Sequence, residues 1–276
     1  MIFSTRNVTL NEGKSLFLVP FGDMQSEKEL DRLEGLVQWL LNRQSEGHQI
    51  GMFGMGDYFE APSPSDRAAL RAAKSGFGMY DDLAKTIMDA YEGRTLTLAR
   101  YLEPIVPDIY GLLRGHHWLE FIQQFRPHLP RDTNVLLAEL LKAEYWGSTI
   151  QLELSINDLP FKIFAAHGYG SARTPGARVT KRIRMREVVL DAHWYVQGHD
   201  NEKVVYPTEA LVGRKYIKQY FSGSGSLQRS YSFDEAEGSY AEDLLLPPSV
   251  LGFVIARISI QTDKNGQKRL DYHVST

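Results

Sequence analysis

Apolar and polar positions follow two periods along this chain. Ser15 to Phe21 (SLFLVPF) and Gln49 to Met55 (QIGMFGM) are short apolar runs that read as strands, each closed by a Gly-Asp pair. Between them Leu30, Leu33, Val37, Leu40 and Leu41 recur at helical spacing. This predicts a helix from Ser26 to Arg43, opened by a Ser26–Glu29 capping box. After Ser63-Pro64-Ser65, the Ala- and Leu-rich stretch from 66 to 103 reads as helical, and Asn134 to Tyr145 predicts another helix, with Asp132 or Thr133 as its cap. Ile150 to Ile156 alternates like a strand, turns at Asn157-Asp158 and returns over Phe161 to Ala166. Val179 to Leu190 reads as a basic helix and Trp194 to Gln197 as a short strand. From residue 203 the pattern is strand-rich. Phe253 to Ile260 alternates clearly, and Asn265-Gly266 marks a hairpin before Leu270 to Val274. Ser222 to Ser226 (SGSGS) reads as a loop near the site.

Composition narrows the class. The 276 residues suffice for one large α/β domain or two small ones, and with no linker or repeat the chain reads as a single domain over 1–276. Hydrophobic residues make up 43% and charged residues 24%, the balance of a soluble globular protein. A net charge of −3 excludes a global polybasic surface for nucleic acid or membrane. The absence of cysteine excludes disulfides and thiolate zinc sites, so any metal must be held by His, Asp, Glu, Asn or Gln. The first residues carry no secretory pattern, and no apolar run approaches the roughly 20 residues a bilayer span needs. A soluble, cytoplasmic protein without membrane contact is the expectation.

Four apolar runs end in a glycine beside a metal-capable side chain: Gly22-Asp23, Gly56-Asp57, His167-Gly168 and Gly198-His199. Ligand sites of open α/β sheets form at the carboxyl ends of the strands, so these four converge. Gly115-His116-His117 adds a fifth element, read as a loop between helical segments. Any one of them alone is most simply a turn or a solvated histidine; their order and shared context make the set. Carboxylates and imidazoles without thiolate suit Zn²⁺, Mn²⁺ or Fe better than Ca²⁺.

In this order the stretches GDMQ (22–25), GDYFE (56–60), GHHW (115–118), HGYG (167–170) and GHDN (198–201) resemble the calcineurin-like metallophosphoesterase family. The MGDY stretch, the following SPSDR (63–67), the doubled histidine and the SYAEDLLLPPSVLG tail (239–252) are similar to its phage and prophage members. The resemblance implies an α/β sandwich of two mixed β-sheets flanked by α-helices, and two divalent metal ions. Manganese is the first choice, with magnesium, zinc or iron as alternatives. It implies that Asp57 bridges the ions and that Asp23, Gln25 and Asn201 hold the first. His116, His167 and His199 would hold the second, and His117 would act as the acid near the leaving group. Gln25 and Asn201 stand where the family usually has histidine. Neutral amide oxygens make the first site weak or selective for a harder ion, so a mixed pair or one tightly held ion is expected.

The implied activity is phosphoester hydrolysis by a metal-bridging hydroxide, on a phosphodiester and in nucleic acid as one candidate substrate, as a nuclease would. The alternatives are a phosphomonoesterase on a small molecule or protein, and a non-catalytic metal-binding or structural protein with a degraded first site. Arg67, Arg114 and Arg173 are candidate phosphate ligands, with surface or ion-paired roles as the bland reading. Arg173, Arg178, Lys181, Arg182, Arg184 and Arg186 read either as an anion-steering surface or as a solvated helix face. Tyr58, Phe59, Trp118, Tyr169 and Trp194 read as core packing or as a base-stacking set, and Glu60 as a neighbour of the bridging carboxylate.

Overall fold

The computed structural model describes residues 1–24, 30–77, 81–170, 174–228, 231, 248 and 250–276, without the side chains of 73–77. Thirteen strands are described in two mixed sheets. The first contains β1 (Ile2–Val8), β6 (Thr149–Ile156), β7 (Leu159–Ala166), β8 (Trp194–Gln197), β9 (Lys203–Val212), β10 (Lys215–Ser226) and β11 (Gly252–Phe253). Its order is β1-β6-β7-β8-β10-β11, with β9 also on β10. The second contains β2 (Ser15–Phe21), β3 (Gln49–Gly54), β4 (Ile109–Leu113), β5 (Glu144–Gly147), β12 (Ile255–Thr262) and β13 (Lys268–Ser275), in the order β13-β12-β2-β3-β4-β5. In it β2, β3, β4 and β5 are parallel, while β12 is antiparallel to both of its neighbours. The two mixed sheets flanked by helices are the architecture the sequence implies.

Strand periodicity assigns the layers. Leu16 and Leu18 of β2 face inward and share one core with Leu152, Ile163 and Trp194 of the first sheet, while Val19 and Phe21 face outward. Burial on both faces is why β2 and β3 read as unbroken apolar runs. The outward face is covered by α1 (Leu30–Ser45), α3 (Asp81–Leu102) and α4 (Thr133–Leu140), through Leu33, Val37, Leu40, Leu98 and Leu137. α2 (Pro64–Phe77) precedes α3, and α5 (Pro175–Ile183) with a following 3-10 turn lies on the other sheet, where Met185 and Val189 pack on Phe164, Tyr195 and Phe221. No helix among the described residues is long and apolar enough to cross a membrane.

Several boundaries differ from expectation. The helix expected over Asn134–Tyr145 stops at Leu140, because Lys142 turns left-handed at φ 52° and Tyr145 pairs with β4 at Leu112. Asp132 caps it, its Oδ1 accepting from the N–H groups of Asn134 and Val135 at 3.0 Å. The basic helix ends at Ile183 rather than Leu190, and SGSGS is the buried end of β10 rather than a loop. The segment before Gly115 is strand β4, not a helical connection; Pro104, Pro107 and Gly111 mask its pattern. The proposed Ser26–Glu29 capping box and most of the 239–252 stretch lie outside the described residues.

Candidate metal centre

Five strand ends deliver the site. Asp23 follows β2, Asp57 follows β3, His116 and His117 follow β4, His167 follows β7 and His199 follows β8. Asp23, Asp57, His199 and Asn201 all adopt positive φ, between 48° and 71°. Non-glycine residues rarely do so, and such strain is held where surrounding bonds over-determine the backbone. Those bonds are present. Asp23 N–H donates to Gly56 O at 2.9 Å and Met24 N–H to Asp57 O at 3.0 Å, tying the first two loops together. The N–H of His199 donates to both oxygens of Asp23, at 3.0 and 2.9 Å. Asp57 Oδ1 accepts from the N–H groups of His116 and His117, at 2.5 and 2.8 Å. Only glycine fits at 115, since a Cβ there would collide with that same Asp57 carboxylate.

The side chains form two groups whose ligand atoms lie within 4.8 Å of one another, His116 with His167 and His199, and Asp23 with Asp57 and His167. His167 is common to both, whereas the resemblance gives the shared role to Asp57. His167 Nδ1 meets Met55 O at 2.7 Å, which leaves Nε2 facing Asp57 Oδ2 at 3.2 Å. His199 turns Nε2 to Gly170 O at 3.0 Å, and its Nδ1 lies 3.2 Å from Nδ1 of His116. Main-chain carbonyls thus fix the outer nitrogen of two imidazoles and aim the inner one into the cluster, the usual support of a metal ligand. The two Nδ1 atoms of His116 and His199 are within hydrogen-bond distance of each other, so both could be turned to a single ion. Asn201 donates Nδ2 to Gln228 Oε1 at 3.2 Å, and its Oδ1 is buried without a hydrogen-bond partner among the described residues. An uncompensated buried amide oxygen fits a cation ligand.

Burial and mutual charge shift the titratable members of the cluster strongly. Burial pushes the Asp23 carboxyl up to about 7; His167 pulls it down and Asp57 adds to the rise. Burial also opposes ionisation of Asp57, but His167 and the His117 N–H outweigh it and hold Asp57 well below the usual carboxylate range. For His167, burial disfavours the charge, yet Asp57 and Asp23 raise it to about 9. Burial, then the charges of His167 and His199, push His116 down to about 4. His199 is lowered by burial and by His167.

The remaining candidates divide. His117 stands outside both groups, with Nδ1 on Ala61 O at 2.7 Å. Arg67 directs Nη1 to three carbonyls, Pro62 O, His116 O at 2.8 Å and Trp118 O at 3.1 Å, and stacks 3.9 Å from the Trp118 ring centroid. It clamps the histidine loop. Arg114 lies on the same ring at 5.8 Å. Gln25 and Arg173 lie outside the described residues. Tyr58 and Trp194 are core residues, and Tyr169 is exposed. Within the basic cluster Arg178, Lys181 and Arg182 pair with Asp200 or Glu202 and so are neither free for steering nor merely solvated, while Arg184 is exposed and Arg186 half-buried. Sequence reading missed two serines of β10, Ser224, whose Oγ donates to Asp23 Oδ2 at 3.3 Å, and Ser226, whose Oγ donates to Asp23 O. Their signal was the period-two spacing of Ser222, Ser224 and Ser226.

No family model and no curated protein matches the chain. Among solved structures it is similar to a conserved protein of Streptococcus pneumoniae TIGR4 described as a predicted phosphoesterase. That match is 11% identical, covers 94% of this chain and 88% of the other, and has a TM-score of 0.34. It is also similar to Vps29 of Chaetomium thermophilum, 11% identical over 94% of this chain and 96% of that one, with a TM-score of 0.32. At these scores neither carries a function to this chain.

Proposed function

We propose that this protein is a metal-dependent phosphoester hydrolase. The convergence of His116, His167, His199, Asp23 and Asp57 carries the reading, since their ligand atoms fall within 4.8 Å in each of two groups that share His167. The same order of motifs underlies the resemblance to calcineurin-like metallophosphoesterases. The donor set is mixed oxygen and imidazole, which suits Mn²⁺ first and Zn²⁺, Fe or Mg²⁺ after it. Asp23, Asp57 and His167 would hold one ion, with Asn201 Oδ1 as a further oxygen. His116 and His199 would border the other, since His167 has only Nε2 to give and that nitrogen can serve one ion. Bound ions of this kind supply Lewis acidity toward a phosphoryl oxygen and acidify a water into a nucleophile.

The chain's own residues do the rest. Asp57 fixes the His116–His117 backbone through Oδ1 while its Oδ2 faces the cluster. His117, whose Nδ1–H donates to Ala61 O, would pass a proton from Nε2 to the leaving oxygen only as the imidazolium, with both ring nitrogens protonated. Arg114 stacks on Trp118 beside the histidine loop and offers a guanidinium to a phosphoryl oxygen.

A phosphodiester is the first substrate class. With Arg178, Lys181 and Arg182 paired to carboxylates, a nucleic-acid backbone has less to hold it than the count of basic residues suggests. The test is hydrolysis of bis-p-nitrophenyl phosphate against p-nitrophenyl phosphate, with Mn²⁺, Mg²⁺ and Zn²⁺ in turn, followed by single- and double-stranded DNA and RNA. Chelator-sensitive turnover favouring the diester is expected. Ion binding without turnover on any substrate would leave the non-catalytic reading, for which the neutral Asn201 is the observation in favour.

A further inference from the structure

The geometry points to Lys181 and Arg182 of α5 as positioning residues for the metal-binding loop, an inference that rests on the reading of His199 and Asn201 as ligands. His199 sits at the centre of a very tight turn. Asp200 N–H donates back to Gly198 O at 2.9 Å, and His199 has φ 71°. A three-residue turn with positive φ at its centre is rare and strained, and Asn201 follows with φ 51°. Something must hold this loop, and the residue between the two ligands is Asp200.

Asp200 is gripped from both sides. Lys181 Nζ donates to its Oδ1 at 2.9 Å and Arg182 Nη2 to its Oδ2 at 3.3 Å. Arg182 also donates through Nη1 to Glu202 Oε2 at 2.5 Å, just past Asn201. The Arg182 side chain is fully buried and that of Asp200 is 5% exposed, so water screens these pairs little. Lys181 further donates to Tyr169 O at 3.1 Å, next to Gly170, whose carbonyl meets His199 Nε2 at 3.0 Å. Two consecutive side chains of one helix therefore brace His199 from its own loop and from the His167 loop at once. A steering surface would leave these cations free in solvent; here they are committed to the loop.

The test uses Lys181→Met and Asp200→Asn, with Lys181→Arg as the conservative variant, because loss of the buried Arg182 would strand two carboxylates and threaten folding. Mn²⁺ affinity is measured by calorimetry, and steady-state kinetics are taken at low and saturating Mn²⁺. Loss of ligand support typically weakens metal affinity about 10–100-fold. That loss is expected for Lys181→Met and Asp200→Asn, with kcat restored by excess Mn²⁺, KM for a phosphodiester unchanged, and rescue in Lys181→Arg. Wild-type Mn²⁺ affinity in both folded variants would overturn the assignment, as would a raised, salt-dependent KM with unaltered metal affinity. The imidazole nitrogen signals of His199 in the metal-free protein supply a readout independent of hydrolysis. They must move in the variants even if the wild type turns over no phosphoester, and unmoved signals count against the brace.

Discussion

His199 and Asp23, 176 residues apart, are joined by one backbone N–H that reaches both carboxylate oxygens. The link makes Asp23 both a ligand candidate and the anchor of a second ligand's backbone. Asp23→Ala removes the charge and the anchor together. It is expected to lower divalent-ion affinity by at least the ~10–100-fold typical of lost ligand support, with a larger loss than Ser224→Ala, which removes only one donor to Asp23. Calorimetric titration with Mn²⁺ checks the order. Equal affinities in the two variants would contradict it.

His117 separates chemistry from metal holding. It lies outside both ligand groups, so His117→Ala should retain metal while turnover falls by roughly 10²–10⁴, the usual scale for a lost general acid. His116→Ala should lose both. Metal content and kcat measured on the same samples distinguish them, and parallel loss in His117→Ala would make it a ligand.

The pH dependence of the metal-free protein follows from two raised groups. Asp23 titrates near about 7 and His167 near about 9. A group whose folded value lies above its unfolded one adds stability at low pH that is lost as pH rises through the folded value. Asp23 therefore costs stability from about pH 4 to 7, where the lowered His116 and His199 act in the opposite direction, and His167 costs it from about 6.5 to 9, so metal-free protein should show a net decline between about pH 6.5 and 9. Metal ions bind the deprotonated forms, so loading at pH 6.5 should release protons and flatten that decline. Melting curves against pH with and without Mn²⁺, and titration in buffers of different ionisation enthalpy, test this. A metal-free stability that rises over the same range would refute it.

Arg67 holds the histidine loop through one guanidinium nitrogen, Nη1, directed to three carbonyls, while the guanidinium carbon lies 3.9 Å from the Trp118 ring centroid. Lysine could offer donors to those carbonyls but not the planar face laid on Trp118, so Arg67→Lys should keep part of the activity that Arg67→Ala loses, both without losing the fold. Full activity in Arg67→Lys would show that charge alone suffices.

Glycines give a structural control. Gly115→Ala would drive its Cβ into Asp57, whereas Gly93 in α3 has nothing within 4 Å. Gly93→Ala should stabilise the protein by roughly 0.5–1 kcal/mol, and Gly115→Ala should abolish metal binding. Thermal melts and metal content read both outcomes.

Much of the centre was legible because strands buried on both faces are unbroken apolar runs, and each ended visibly in a glycine and a ligand-type residue. β4 was hidden by Pro104, Pro107 and Gly111, so His116 looked like a loop residue between helices when it lies at a strand end. β1 was missed because its side chains are mostly exposed and polar. The role of α5 could not be read from composition, since Arg182 looks like any surface cation until Asp200 and Glu202 are placed against it. The centrality of His167 depends on three loops meeting, which no local pattern encodes.

The most direct test of the metal centre is the Mn²⁺ content of folded His167→Ala beside that of the wild type. Because His167 keeps one nitrogen, Nε2, turned into the cluster where the two ligand groups meet, the wild type is expected to hold divalent ion and the variant to lose at least the ion that nitrogen would hold. A variant that keeps its full metal content, or a wild type that holds no divalent ion, would contradict the account.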